Sequence, residues 1–68
     1  MFEEGRKIRV SLAELGLTQV WLIEELRKRG IITDKTEMSS VLHGTRRGAK
    51  AQAILTEARI ILLNKERE

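Results

Sequence analysis

The sequence predicts an all-α domain of four helices, and three features carry that prediction. No proline interrupts the 68 residues, and no stretch alternates apolar and polar side chains for long enough to make a strand. Apolar residues recur instead at helical spacing. Glycines punctuate those runs, at Gly5, Gly16, Gly30, Gly44 and Gly48.

The first helix carries Ile8, Leu12 and Leu15 at i, i+4, i+7, and Gly16 follows where a left-handed residue commonly ends a helix. Thr18 opens the second helix as a hydroxyl cap, with Leu22, Ile23 and Leu26 as its buried stripe. Arg27, Lys28 and Arg29 crowd its last turn, where positive charge complements the helix dipole. After Gly30, the pair Ile31-Ile32 is expected to pin an inter-helix segment to the core. Asp34 followed three residues later by Glu37 is a variant of the capping box and starts a short third helix, with Met38, Val41 and Leu42 inward and His43-Gly44 at its close. A basic loop from Thr45 to Lys50 leads to a last helix from about Ala49 to Leu63, with Ala51, Ile54, Leu55, Ala58, Ile61 and Leu62 inward. The expected domain is residues 1–63, and Asn64 to Glu68 form a polar, frayed tail.

A chain of 68 residues makes one domain with a small core, so its expected stability is modest unless it pairs with a second copy. The absence of cysteine excludes a disulfide framework and a thiolate zinc site, and suits a reducing compartment. His43, the only histidine, has too few partners for a metal site, and no cofactor is expected. No apolar run approaches the roughly 20 residues of a membrane span. Glu3, Glu4 and Gly5 before the first isoleucine are unlike a signal peptide. A soluble, cytoplasmic protein is the expectation.

The net charge is +3, and its placement says more than its size. Up to Asp34, six basic residues meet six acidic ones, and from Ala51 onward three meet three. The whole excess lies between Lys35 and Lys50, where Lys35, Arg46, Arg47 and Lys50 face only Glu37. A basic edge confined to one stretch is what a polyanion requires of its partner.

The outer positions of the third helix sharpen that expectation. They are Lys35, Thr36, Ser39, Ser40 and His43, whereas an ordinary solvated face favours long charged helix formers. Small hydroxyl side chains let a helix axis approach base edges and bond either donors or acceptors there. Arg46, Arg47 and Lys50 just beyond would hold phosphates and fix register.

The run Leu17-Thr18-Gln19, with Leu22 three residues on, resembles the start of helix two in the lambda-repressor/Cro-like helix-turn-helix family. Met38 to Arg47 resembles that family's recognition helix, which ends in glycine followed by basic residues. The likeness covers nearly the whole chain and comes closest to short regulators of Gram-positive phages and mobile elements. It implies a compact four-helix domain that binds double-stranded DNA, often as a homodimer. Gln19 would touch a phosphate or brace the recognition helix. Lys35, Thr36, Ser39 and Ser40 would face the major groove, with His43, Arg46 and Arg47 along the backbone. Lys50 has no counterpart in the motif and rests on charge alone. Two departures stand out. Seven residues separate Leu26 from Asp34, so either the second helix runs on or the turn loops out. Leu12 and Leu42 also stand where many relatives pair an arginine with a glutamate.

Trp21 is expected to half-cover the first helix or the turn with its indole N–H in water. Ile60 and Leu63 share a face off the inner stripe and offer the seam of a homodimer. Ser39 and His43, at i, i+4, lack the orienting acid and pocket that a nucleophile needs, so no enzyme is expected. The expected function is that of a small transcriptional regulator, a repressor of a phage or mobile element. The alternative is a protein-interaction module, an anti-repressor or adaptor on the same helices, because the third helix presents no Arg, Asn or Gln outward.

Overall fold

The computed structural model describes residues 3–68, so Met1 and Phe2 at the start of the expected domain lie outside the described residues. Four helices follow in order: α1 Glu3–Leu15, α2 Gln19–Lys28, α3 Lys35–Leu42 and α4 Ala49–Glu66, and no strand occurs among the described residues. The all-α prediction holds.

The ends of the helices follow from local chemistry. At the end of α1, Gly16 has φ +70°, a region that L side chains rarely enter. Gly16 N–H donates to the Ala13 carbonyl at 3.1 Å and Leu17 N–H to the Leu12 carbonyl at 2.8 Å, satisfying two otherwise orphaned groups. The same pair of bonds closes α2, from Gly30 to Arg27 and from Ile31 to Leu26. α3 closes likewise, from Gly44 to Val41 and from Thr45 to Ser40. Thr18 accepts the Trp21 N–H at its hydroxyl, 3.1 Å, and Asp34 accepts the Glu37 N–H at its carboxylate, 2.7 Å.

The inner stripes meet in one core. Ile8 and Leu12 of α1, Leu22 and Leu26 of α2, Met38, Val41 and Leu42 of α3, and Ala51, Ile54, Ala58, Ile61 and Leu62 of α4 are all buried. Leu15, Ile23, Ile31, Leu55 and Trp21 pack around them partly buried. Each fully buried Leu or Ile contributes roughly 1.5–3 kcal/mol of transfer free energy, so the core rests on aliphatic volume. Leu12 and Leu42 both belong to that core. At Gly5, buried in the first turn of α1, a Cβ would overlap the Leu42 carbonyl oxygen. The absence of a side chain is what lets α1 lie against the backbone at the end of α3.

Two expectations need correction, and one open alternative is resolved. Ile32 does not pin the turn to the core: it is 66 % exposed, because an extended segment alternates its side chains and Ile31 takes the inward place. The lengthened connection is resolved as a turn that loops out, since α2 stops at Lys28 and residues 29–34 carry no helix. Finally, α4 does not fray after Leu63. It continues to Glu66, and Lys65 pairs with Glu68 at 3.0 Å beyond it.

Candidate nucleic-acid interface

Helical geometry sets the layout of α3. Successive side chains turn by 100°, so Thr36, Ser39, Ser40 and His43 share one side, opposite Met38, Val41 and Leu42 in the core. Thr36 and His43 are exposed; Ser39 and Ser40 are half-buried, so the hydroxyl stripe is recessed in its middle. Lys35 lies exposed on one flank of that stripe. Glu37 lies on the other flank, two residues further along the first turn.

The loop after α3 folds back. The Ser40 carbonyl accepts the Thr45 N–H at 2.9 Å, the Thr45 hydroxyl at 3.0 Å and the Arg46 N–H at 3.3 Å. Arg47 Nε donates to the Gly44 carbonyl at 3.5 Å. This return brings Arg46 and Lys50 to the N-terminal turn of α3, where both meet Glu37. Lys50 Nζ lies 3.1 Å from Glu37 Oε1, and Arg46 Nη1 lies 3.8 Å from Glu37 Oε2. The basic residues therefore do not simply trail beyond the end of the helix, as the linear order implies; two of them stand beside its start.

Glu37 was legible in the sequence only as a capping residue. Its carboxylate turns to the Thr33 hydroxyl, which donates to Oε1 at 2.6 Å. That hydrogen bond, and then the one from Lys50, hold the carboxyl below its usual value; burial opposes them, and the charges of Lys50 and Arg46 add smaller effects in the same downward direction. Its standing as the only acid in a basic stretch was the available signal.

Gln19, the first residue of α2, is partly buried, and its side-chain oxygen is enclosed without a hydrogen-bond partner. Arg27, Lys28 and Arg29 are engaged elsewhere. They pair with Glu24 at 2.8 Å, Glu25 at 3.1 Å and, across to α4, Glu57 at 3.0 Å. Arg59 of α4 likewise pairs with Glu4 of α1 at 3.1 Å. No helix among the described residues is long and apolar enough to cross a membrane.

On the outer side of α4, Ala53, Thr56, Ile60 and Asn64 are exposed at i, i+3, i+7, i+11, on the side away from Ala51, Ile54, Ala58 and Ile61. Ile60 is 40 % and Leu63 53 % exposed, as their place off the inner stripe predicted. Comparison of the chain with models of known protein families, with curated proteins and with solved structures yields no match.

Proposed function

We propose that this chain is a small, non-catalytic regulator that binds double-stranded DNA with sequence specificity, with α3 in the major groove. One observation carries the proposal. The outer side of α3 bears short hydroxyl side chains, and cations stand on both its flanks, Lys35 on one and Arg46 with Lys50 on the other. A helix lying in the major groove has a phosphate strand on either side and base edges in front, and this layout matches that demand. Hydroxyls at Thr36, Ser39 and Ser40 would meet the bases, and Arg46, Arg47 and Lys50 the backbone. The resemblance of Leu17 to Leu22 and Met38 to Arg47 to lambda-repressor/Cro-like proteins supports the same reading, and within it a repressor of a phage or mobile element. Gln19 would brace α3 or touch a phosphate from the start of α2.

Binding by two copies follows from the same demands. One short helix contacts few base pairs, and two copies on a two-fold axis read half-sites about 34 Å apart. The exposed side of α4 that carries Ile60 and Leu63 is the surface offered for that pairing.

The test is a direct titration with duplex DNA at several salt concentrations. Four phosphate contacts give log K against log salt a slope of about −3 to −4, and Arg46→Ala weakens specific and random duplexes alike. Ser40→Ala acts mainly on the specific duplex, by about 1–3 kcal/mol where a base contact is lost. A flat salt response would refute the proposal. It would favour the alternative of a protein-binding module, for which the lack of Arg, Asn or Gln on the outer side of α3 is the supporting observation.

A further inference from the structure

We infer that Glu37 limits the affinity of this edge for DNA, by holding Arg46 and Lys50 in competition with phosphate. The inference rests on the DNA-binding function proposed above and assigns to it a residue that the motif does not contain.

The geometry is that of an internal stand-in for a phosphate. One carboxylate, fixed by the Thr33 hydroxyl at 2.6 Å, receives Lys50 at 3.1 Å and Arg46 at 3.8 Å. The three partners come from three different segments: the turn before α3, the loop after it, and the first turn of α4. Exposure is unequal across the cluster. The Glu37 side chain is 18 % exposed, whereas those of Arg46 and Lys50 are 58 % and 57 % exposed. Solvent and phosphate therefore reach the cations from the open side while the carboxylate stays behind them.

Exchange of Glu37 for phosphate needs only rotation of two long, exposed side chains, because no backbone group of the loop is bonded to the carboxylate. Ion pairs this exposed are individually weak, so DNA can break them. The break nevertheless opposes binding in every complex that uses these cations. That cost is the same whichever duplex takes the cations, so Glu37 lowers the affinity for specific and random DNA by a similar factor and keeps the cation excess of the edge in check.

The experiment compares the full chain with Glu37→Gln, which keeps the side chain's size and an oxygen for Thr33. Two duplexes of about 20 base pairs serve as probes, one random and one selected by the parent protein from a random pool. The expected result is a gain of about five- to tenfold on both duplexes, with the ratio between them little changed. The salt slope on random DNA should steepen by about one, since no carboxylate is left to recapture a cation. A folded Glu37→Gln protein with unchanged or weakened random-DNA binding overturns the inference. Where that variant melts, the carboxylate-carbon resonance of Glu37 in the parent protein decides: a shift on adding the selected duplex supports the exchange, and an unmoved resonance overturns it. Parent protein that binds neither duplex removes the DNA-binding proposal itself, and this inference with it. Parent-like behaviour of a folded variant removes the inference alone.

Discussion

Replacing Gly5 by alanine tests the packing of the whole domain, because two rules predict opposite signs for it. By helix propensity alone, alanine is favoured over glycine by about 1 kcal/mol within a helix, and the variant should gain stability. Packing opposes this. The new methyl would overlap the Leu42 carbonyl oxygen and stand 2.8 Å from its carbon and 2.9 Å from the Leu42 Cα. Ordinary carbon contacts lie near 3.5–4.0 Å, so α1 and α3 must part by roughly 1 Å. The obstacle is backbone, which cannot swing aside as a side chain does. Overpacking of this kind costs about 1–3 kcal/mol, and separating the helices also loosens Leu12 against Leu42. The net expectation is a loss of about 2 kcal/mol, from a total of roughly 3–10 kcal/mol for a domain of this size. The melting temperature should fall by about 8–16 °C. Thermal and urea unfolding followed by circular dichroism measure both quantities. A Gly5→Ala protein as stable as the parent, or more so, would refute the close approach of α1 to the end of α3.

Two further outcomes are expected. Ile60→Glu with Leu63→Glu should leave the monomer helical but abolish cooperative binding to a duplex with two half-sites. Sedimentation and gel-shift measurements check it, and parent-like cooperativity would place the pairing surface elsewhere. Acid unfolding should depend on Glu37, whose carboxyl is held below its ordinary value in the folded protein. A lowered carboxyl stabilises the fold above its unfolded pKa of about 4.3, and that contribution disappears as the pH falls through the folded value. The stability advantage of the parent over Glu37→Gln should therefore be constant near neutrality and shrink below about pH 4.3. Urea midpoints between pH 3 and 7 would show it, and an advantage independent of pH would contradict it.

What the sequence made legible was whatever depends on neighbours within one or two turns. Ile8 with Leu12, or Met38 with Val41 and Leu42, declare a buried side by spacing alone, and Thr18 and Asp34 declare caps because their partners lie three residues away. Features that join distant segments were not legible. Nothing near Gly5 announces that its missing side chain accommodates Leu42. Glu37 reads locally as part of a capping box, yet its carboxylate is occupied by Lys50, which returns to it through the loop after α3. The pair Ile31-Ile32 looks doubly apolar, but adjacent residues of an extended segment cannot both face one core. At the other end, Asn64 to Glu66 look like a tail by polarity, although lysine and glutamate are good helix formers and carry α4 onward.

The distribution of ion pairs bears on which face meets a partner. Arg29 with Glu57 ties α2 to α4, and Arg59 with Glu4 ties α4 to α1. Arg27 and Lys28 are matched within α2 itself. Charges over this part of the surface are thus spent on holding helices together, in pairs of opposite sign. Around α3 cations outnumber acids, with one carboxylate shared between Arg46 and Lys50 and with Lys35 on the far flank. A protein partner recognised through hydroxyls alone would gain nothing from that surplus, since unmatched charge at an interface costs desolvation. A polyanion uses it directly, because each phosphate that replaces Glu37 meets a cation already gathered at the start of the helix. The surplus lies on and beside the short helix that carries the hydroxyl stripe, and the DNA partner proposed above would have a use for both.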